Sequence, residues 1–249
     1  MEQKRLSKAL AAAGIASRRA CEEIIFEGRV QLNGDTVRIP QTPVNLETDE
    51  IRVDGELVKA EQKKVYYMLN KPKGVLCTNV RPGKKAIVLD LFPDSSERLF
   101  TVGRLDRDTE GLLIVTNDGH FAQKIIHPSA GVIKEYLVKT AQEITLEHLE
   151  DLSDGARIDN RWIKPVSVRK VRKGTFRICV KEGRKHEVRI ITERAKLDLI
   201  ELCRIRIGPI LLGNLQSGQY RSLSKEEIHQ LLNQKTKRDA KRSTPAVID

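Results

Sequence analysis

Residues 103–119, GRLDRDTEGLLIVTNDG, place four charged side chains just before an apolar segment. Arg104, Asp106, Arg107 and Asp108 fall within five positions, and the run GLLIVT that follows is typical of a buried strand. In one interpretation this is a charged turn in which an aspartate bonds to nearby backbone. In the other, an arginine keeps a buried aspartate ionised, and such a carboxylate can act as a nucleophile. These residues alone leave both interpretations open.

The basic stretch EGRKHEVR brings Arg184, Lys185 and Arg189 to the start of a predicted helix. Backbone N–H groups at such a start suit an RNA phosphate. A basic, solvated helix surface is the simpler interpretation of the same stretch. His127 and His186 have no partner at the spacing of metal ligands, so we predict a structural or RNA-facing role for both.

The net charge of +11 is concentrated in one segment of the 249-residue chain. Residues 161–210 hold fifteen Lys and Arg against five Asp and Glu. This clustering favours a polyanionic partner, although a solvated charged face would produce the same run. The four cysteines are widely spaced, which predicts reduced thiols rather than metal ligands or disulfides. No run matches a secretory signal or a membrane span, so we predict a cytoplasmic protein with no membrane partner.

Helical and strand signals alternate over the first 60 residues. Leu6, Ala9 and Leu10 recur at helical spacing, and Ser17 can cap a second helix. The segment RVQLNGDTVRI alternates into and out of an Asn-Gly turn, which predicts a hairpin. This stretch resembles the S4-type RNA-binding domain over residues 4–55, which implies contact with structured RNA. The polar faces of the unit carry five basic residues that would make this contact, or that are simply solvated: Arg5, Lys8, Arg18, Arg19 and Arg29.

From residue 65 onward strands and turns dominate. The runs VYYMLN, VLCT, LFTV, GLLIVT, EYLVKT and LCRIRIG are typical of strands, and VSVRKV with TFRICV predicts a hairpin. Helices are predicted around TLEHLEDL, from about Lys185, and where Phe121, Ile125 and Ile126 share a face. The pattern predicts a sheet-rich α+β fold. We predict three parts: a small RNA-binding domain at 1–60 that ends in a polar linker, a larger domain at 61–233, and a basic, disordered tail at 234–249.

Five strings occur in order along the chain: NKPKGVLCT, GRLDRDTEGLLIVTNDG, HPSAGVIKEYLVK, EGRKHEVR and RIRIG. In order and spacing they are similar to the RsuA-type family of ribosomal-RNA pseudouridine synthases, many of which carry the S4-type module. The resemblance implies a mixed, largely antiparallel sheet with flanking helices. It also implies isomerisation of a uridine in ribosomal RNA, free or in a precursor ribosomal particle, with no metal and no small-molecule cofactor. We expect a monomer.

In this family the aspartate of GRLD is catalytic, and by position that residue is Asp106. The resemblance implies that Arg189 pairs with it and that Tyr136 of KEYLVK stacks on uracil or moves a proton. Arg104 is expected to flip the base or hold a phosphate. Six further residues are expected to contact RNA: Lys71, Lys73, Arg184, Lys185, Arg204 and Arg206. A turn at KPKG and a strand edge at RIRIG would explain four of these equally well.

Two other classes of protein compete with this interpretation. A non-catalytic ribosome-assembly factor would use the same basic surface, but it would not need Asp106, Tyr136 and Arg189 together. A nuclease or phosphate-processing enzyme would need paired carboxylates or a His/Asp cluster to hold metals, and the sequence offers neither. The strings ASRR and EGRKHEVR favour the branch of the family that acts on large-subunit rRNA, and the small-subunit branch stays open.

Overall fold

A computed structural model describes residues 3–58 and 61–233 of the chain. Their contacts divide them into two compact units. The first unit contains the described residues up to Val65 with residues 94–99 and 117–119, and the second contains the rest. The predicted disordered tail, residues 234–249, lies outside the described residues. Within the described ranges, no helix is both long and apolar enough to cross a membrane.

The first unit packs two short helices against small antiparallel sheets. Its elements are β1 (Lys4–Arg5), α1 (Leu6–Ala12), α2 (Arg18–Phe26), β2 (Val30–Leu32), β3 (Asp35–Val37), β4 (Pro43–Val44), β5 (Ile51–Val53) and β6 (Glu56–Leu57). Strands β3, β2, β5 and β6 form one sheet in that order, and β1 pairs with β4. Leu6, Leu10, Cys21, Ile25 and Val30 are fully buried in the core that these elements share.

Local signals place the helix pair and the hairpin of this unit as predicted. The hydroxyl of Ser17 caps α2 by accepting a hydrogen bond from the backbone N–H of Ala20 at 3.1 Å. Asn33 and Gly34 both adopt positive φ, as a two-residue turn between β2 and β3 requires. The prediction that the string DGELVKAEQKK forms a polar linker is wrong at its start, because its Asp54-Gly55 turn leads into β6, which pairs with β5.

The second unit is built on one large sheet. Its elements are β7 (Tyr66–Lys71), β8 (Phe100–Val102), β9 (Glu110–Thr116), α3 (Gly119–Ile126), β10 (Lys134–Thr140), α4 (Leu146–Asp154), β11 (Ala156–Ile158), β12 (Arg161–Ile163), β13 (Ser167–Arg172), β14 (Thr175–Val180), α5 (Glu187–Arg194), β15 (Leu199–Ile207), β16 (Ile210–Leu211), β17 (Tyr220–Ser222) and α6 (Lys225–Leu232). The main strand order is β13-β14-β10-β15-β9-β7-β17, with β8 on β9 and β16 on β15. Among these strands β15 and β9 pair in parallel and the others antiparallel, so the predicted mixed, largely antiparallel sheet is confirmed.

Helices α3 and α6 pack against β7 and β9 in one apolar core. Phe121 and Ile125 of α3 are buried there, as predicted. Ile126 is 46% exposed, so its predicted place on the same face is wrong, because one residue turns the helix by about 100°. The run VLCT does not form the predicted strand and makes only an isolated bridge between Leu76 and Ile87.

Three central strands bring the chemically interesting residues together. The loop after β8 leads into β9, which lies beside β15, and β15 in turn lies beside β10. Gly111 makes this approach possible, because its φ is +105° and a Cβ there would lie 2.4 Å from the carbonyl oxygen of Arg204. The loop that contains Asp106 and the strand that contains Tyr136 therefore flank β15 from its two sides.

Candidate active site

A pocket of about 680 Å³ lies in the second unit, where the loop between β8 and β9 meets α5, β10 and β15. Asp106, Arg189 and Tyr136, which the sequence singles out as catalytic, all line it. Val102 and Leu202 add apolar surface to its walls. The structure thus brings the three residues to one cavity that is large enough for a nucleotide base.

The carboxylate of Asp106 lies between the side chains of Arg189 and His186 and is 38% exposed. Its Oδ2 is 3.6 Å from Nε of Arg189, and its Oδ1 is 3.4 Å from Nε2 of His186. Both distances are longer than those of charge-assisted hydrogen bonds, so these contacts are mainly electrostatic. Each carboxylate oxygen therefore faces one positive group when the imidazole is protonated.

The turn that carries Asp106 is closed by backbone rather than by its carboxylate. The N–H of Thr109 donates to the carbonyl oxygen of Asp106 at 3.1 Å. The hydroxyl of Thr109, which is buried, accepts a hydrogen bond from Nη2 of Arg189 at 3.1 Å. One threonine therefore fixes both the turn and the arginine, and the Asp106 carboxylate faces the pocket.

Lys71 anchors the same loop from the end of β7. Its side chain is completely buried, and Nζ donates to the carbonyl oxygens of Pro72 and Thr109 at 2.9 Å and of Arg107 at 3.3 Å. Burial lowers the pKa of this ammonium group. The prediction that Lys71 contacts RNA is wrong, because an RNA phosphate cannot reach a side chain enclosed by three carbonyl groups.

Glu187 orders the loop that precedes α5. Its carboxylate accepts hydrogen bonds from the backbone N–H groups of Gly183 at 2.7 Å and Arg184 at 2.8 Å. Burial raises its pKa, since only 3% of the residue is exposed. The prediction that backbone N–H groups here hold an RNA phosphate is therefore wrong for these two groups, which already have a carboxylate partner.

Tyr136 and Arg204 are cross-strand neighbours on β10 and β15. Both are buried, and the phenol oxygen of Tyr136 accepts a long hydrogen bond of 3.5 Å from Nη1 of Arg204. Nε of Arg204 donates to the carbonyl oxygen of Leu112 at 2.7 Å. The alternative explanation that Arg204 lies at a strand edge is wrong, because β15 lies between β10 and β9 in the interior of the sheet.

The remaining predicted RNA contacts fall into two groups. Arg104, Lys73 and Lys185 are exposed in the second unit, and Arg104 and Lys185 line the pocket. In the first unit, all five predicted contacts are exposed: Arg5, Lys8, Arg18, Arg19 and Arg29. The surface of each unit therefore offers cations to a polyanion.

Arg184, Arg206 and Arg29 are engaged with carboxylates of the protein. Nε of Arg184 donates to Glu182 at 2.7 Å, and Nε of Arg206 donates to Glu135 at 2.6 Å. Arg29 makes hydrogen bonds of 2.8 and 2.6 Å with the two carboxylate oxygens of one aspartate, residue 54. These three guanidinium groups are less available to RNA than the sequence predicts.

Two sequence profiles match this chain. The profile of RNA pseudouridylate synthases matches residues 65–194, more than half of the chain, and the profile of the S4 domain matches residues 4–51. The chain belongs to the RNA pseudouridylate synthase family. The predicted family and the predicted S4-type domain are confirmed.

Other pseudouridine synthases match this family member over most of its length. A putative chloroplastic ribosomal large subunit pseudouridine synthase of Arabidopsis thaliana is 41% identical over 92% of this chain, which covers 61% of that protein. Ribosomal large subunit pseudouridine synthase B of Bacillus subtilis is 35% identical, with 92% of this chain and 95% of that protein covered. A crystal structure of a pseudouridylate synthase superposes with a TM-score of 0.67 at 28% identity, over 92% of this chain and 99% of the other.

Two pocket residues of this pseudouridylate synthase were missed by sequence reasoning. His186 was expected to be structural or RNA-facing, although it precedes Arg189 by only three positions, and its Nε2 lies 3.4 Å from Asp106. Lys134 lies two residues before Tyr136, and the period of a strand places both on one face. Nζ of Lys134 donates to the carbonyl oxygen of Lys181 at 3.1 Å, and burial lowers its pKa. Spacing relative to a predicted site residue was the signal in both cases.

Proposed function

We propose that this synthase converts one uridine of large-subunit ribosomal RNA to pseudouridine. Family membership supports the reaction, and the relatives whose names specify the large ribosomal subunit support the substrate. The observation that carries the proposal is the position of Asp106, 3.6 Å from Arg189 in a pocket that Tyr136 also lines. An ionised carboxylate at this place can act on the ribose of a bound uridine.

The reaction needs a carboxylate because the bond between N1 of uracil and C1′ of ribose must break. The Asp106 carboxylate either attacks C1′ or removes the proton at C2′, and in both routes the electron pair of the broken bond leaves with uracil. The uracil rotates and C5 bonds to C1′, which either breaks the bond between the carboxylate and C1′ or is accompanied by return of the proton to C2′, and the proton at C5 is then lost. Arg189, 3.6 Å away, orients the carboxylate toward the pocket, and Tyr136 stacks on uracil or moves a proton.

The target base must leave the RNA stack before it can enter the pocket. Arg104 is exposed on the pocket wall, where its guanidinium can take the place of the base or bind a phosphate. Lys73 and Lys185 add exposed positive charge in the same unit. The exposed basic residues of the S4 domain supply further phosphate contacts, which bind RNA without regard to sequence.

Replacement of Asp106 by asparagine tests this proposal. The variant keeps the shape of the side chain but has no charge with which to act on the sugar, so release of tritium from C5 of labelled rRNA should fall to background. It should still bind rRNA, because one negative charge near phosphate is removed. Asp108→Asn, which changes an exposed aspartate two positions away, should keep the wild-type rate.

Two results would contradict the proposal in different ways. A wild-type rate in Asp106→Asn would remove Asp106 from the chemistry. A wild-type protein that binds rRNA but releases no tritium from any rRNA or precursor particle would favour a ribosome-assembly factor. Chemical mapping of pseudouridine in rRNA from cells with and without the gene would identify the modified uridine and the subunit.

We further propose that residues 1–60 form the RNA-binding domain and residues 61–233 the catalytic domain of a monomeric, cytoplasmic enzyme that needs no metal and no organic cofactor. The two profile matches, one within each range, support this division. Light scattering of the purified protein should give the monomer mass of 28.2 kDa. A mass of twice this value would contradict the proposed monomer.

A further inference from the structure

Arg204 is a buried cation with no ion-pair partner in the described part of the chain. Its residue is 4% exposed, and its guanidinium makes hydrogen bonds to the carbonyl oxygen of Leu112 and the phenol oxygen of Tyr136, both uncharged. Its Nη2 has no hydrogen-bond partner among the residues that the structure describes. A buried guanidinium normally meets a carboxylate or phosphate, because leaving it unpaired is costly.

This cation belongs to the pocket that contains Asp106 and Arg189. Its strand lies between the one that carries Tyr136 and the one that follows the Asp106 loop, so its position is fixed from both sides. Lys134, on the same pocket wall, has a pKa that is lowered by burial and by the positive charge of Arg204. The pocket is therefore electropositive before any substrate enters.

The reaction creates a negative charge at this depth. When the bond between N1 and C1′ breaks, both electrons pass to uracil, and the charge spreads over N1, O2 and O4. This holds whether Asp106 attacks C1′ or removes the proton at C2′. The charge disappears when C5 bonds to C1′ and the C5 proton leaves. A phosphate is a poor match for Arg204, because phosphates stay with the solvated RNA backbone and this guanidinium is buried.

We propose that Arg204 is a catalytic residue that stabilises the detached, negatively charged uracil through the N–H of Nη2. The proposal rests on the proposed function, because uracil bears this charge only if the glycosidic bond is cleaved. A fixed donor in a pocket sheltered from water stabilises developing charge without having to reorganise. Arg204 thereby differs from Arg189, which acts on the Asp106 carboxylate, and from Arg104, which is exposed on the pocket wall.

The test compares Arg204→Met and Arg204→Lys with Arg177→Met. Arg177 is a matched control, because its Nε also lacks a partner among the described residues, but it pairs with Glu135 and is not part of the pocket wall. Tritium release is measured in single turnovers with enzyme in excess over rRNA. This experiment gives two separate quantities: the rate constant at saturating enzyme, and the enzyme concentration at which the rate constant is half of that value.

Arg204→Met should lower the rate at saturation by about 100-fold or more, as loss of one oxyanion donor does in other enzymes. The half-saturating concentration should change less than about threefold, because the charge on uracil is absent from the bound substrate. Arg204→Lys should recover part of the rate, since it restores a positive charge. Arg177→Met should match the wild type in both quantities.

A wild-type rate at saturation in folded Arg204→Met would overturn the proposal. An unchanged rate with a half-saturating concentration raised about tenfold would also overturn it, and would indicate a phosphate contact. Arg204→Gln is made in parallel. If both Arg204→Met and Arg204→Gln lose the circular-dichroism signal of the folded protein, the guanidinium stabilises the fold instead of the uracil, and the proposal is overturned. A wild-type enzyme that releases no tritium from rRNA would reject the proposed function rather than this role alone.

Discussion

Replacement of Lys71 by methionine should loosen the loop that carries Asp106. Methionine has a similar length but no positive charge and no N–H group, so the carbonyl oxygens of Pro72, Arg107 and Thr109 would lose their shared donor. Two of these carbonyls flank the turn at Asp106. We therefore expect a loss of both stability and activity.

The size of the effect follows from two opposing contributions. A hydrogen bond to a charged group contributes about 1.5–3 kcal/mol, and a buried acceptor left unsatisfied costs about 1–3 kcal/mol. Removing the ammonium group also removes the cost of burying it, which is several kcal/mol. The donor at 3.3 Å contributes less than the two at 2.9 Å. We expect Lys71→Met to lower the free energy of unfolding by about 2–4 kcal/mol.

Urea unfolding measures the stability change, and single-turnover tritium release at low temperature measures activity while the variant is folded. The rate should fall at least about tenfold, because a displacement of the catalytic group by a fraction of an ångström is costly. Lys73→Met is the control for stability: Lys73 is exposed, and its loss should change the free energy of unfolding by less than about 0.5 kcal/mol. Wild-type stability and rate in Lys71→Met would refute the anchoring role. Weaker RNA binding with normal stability in Lys71→Met would indicate that Lys71 contacts RNA, as the sequence predicts.

Two further predictions concern α5. Arg189→Leu should abolish turnover but lower the free energy of unfolding in urea by only about 1 kcal/mol, because the pair with Asp106 is about a third exposed and one hydrogen bond to Thr109 is lost. Arg189→Lys should keep the fold and lose most activity. Full activity in Arg189→Leu would contradict the pairing of Arg189 with Asp106. Burial raises the pKa of Glu187 in the folded protein above its value of 4.5 in the unfolded chain. The stability that Glu187 contributes is therefore fully present below pH 4.5 and is lost as pH rises through the folded pKa. Glu187→Gln should therefore gain stability relative to wild type as pH rises above 4.5, and a pH-independent difference between the two would contradict this origin of the shift.

Local sequence signals were sufficient where neighbours along the chain determine the structure. The hydroxyl of Ser17 caps α2 by accepting a hydrogen bond from a backbone N–H three residues later. The turn at Asn33 and Gly34 needs only positive φ at those two residues. The family motifs similarly brought Asp106 and Arg189 into one hypothesis, and the structure places them within 4 Å. In each case the decisive information lies within one short string or one recognised spacing.

Sequence was insufficient where partners come from distant parts of the chain. Alternation identifies β15 as a strand, but it does not reveal that β9 and β10 flank it, so a strand edge remained as an alternative explanation of Arg204. The motif KPKG looks like an exposed basic turn, yet Lys71 is enclosed by carbonyl groups of a loop more than thirty residues later. A lysine or arginine next to a turn is usually solvated, and only the three-dimensional neighbours show when it is not.

The position of β15 in the sheet also affects how the protein is made. During synthesis, β7, β8 and β9 emerge as one antiparallel group, and β10, β13 and β14 as another. Until β15 leaves the ribosome, no strand of the described sheet joins these groups. Strand β10 then exposes an unpaired edge along its length, whereas β9 is already paired with β8 at Ile114, Val115 and Thr116 and lacks only its pairing at Glu110 and Gly111. Insertion of β15 completes both pairings in one non-local step, which is slow compared with hairpin formation. A nascent chain that stalls before β15 therefore presents the edge of β10, to which strands of other chains can add.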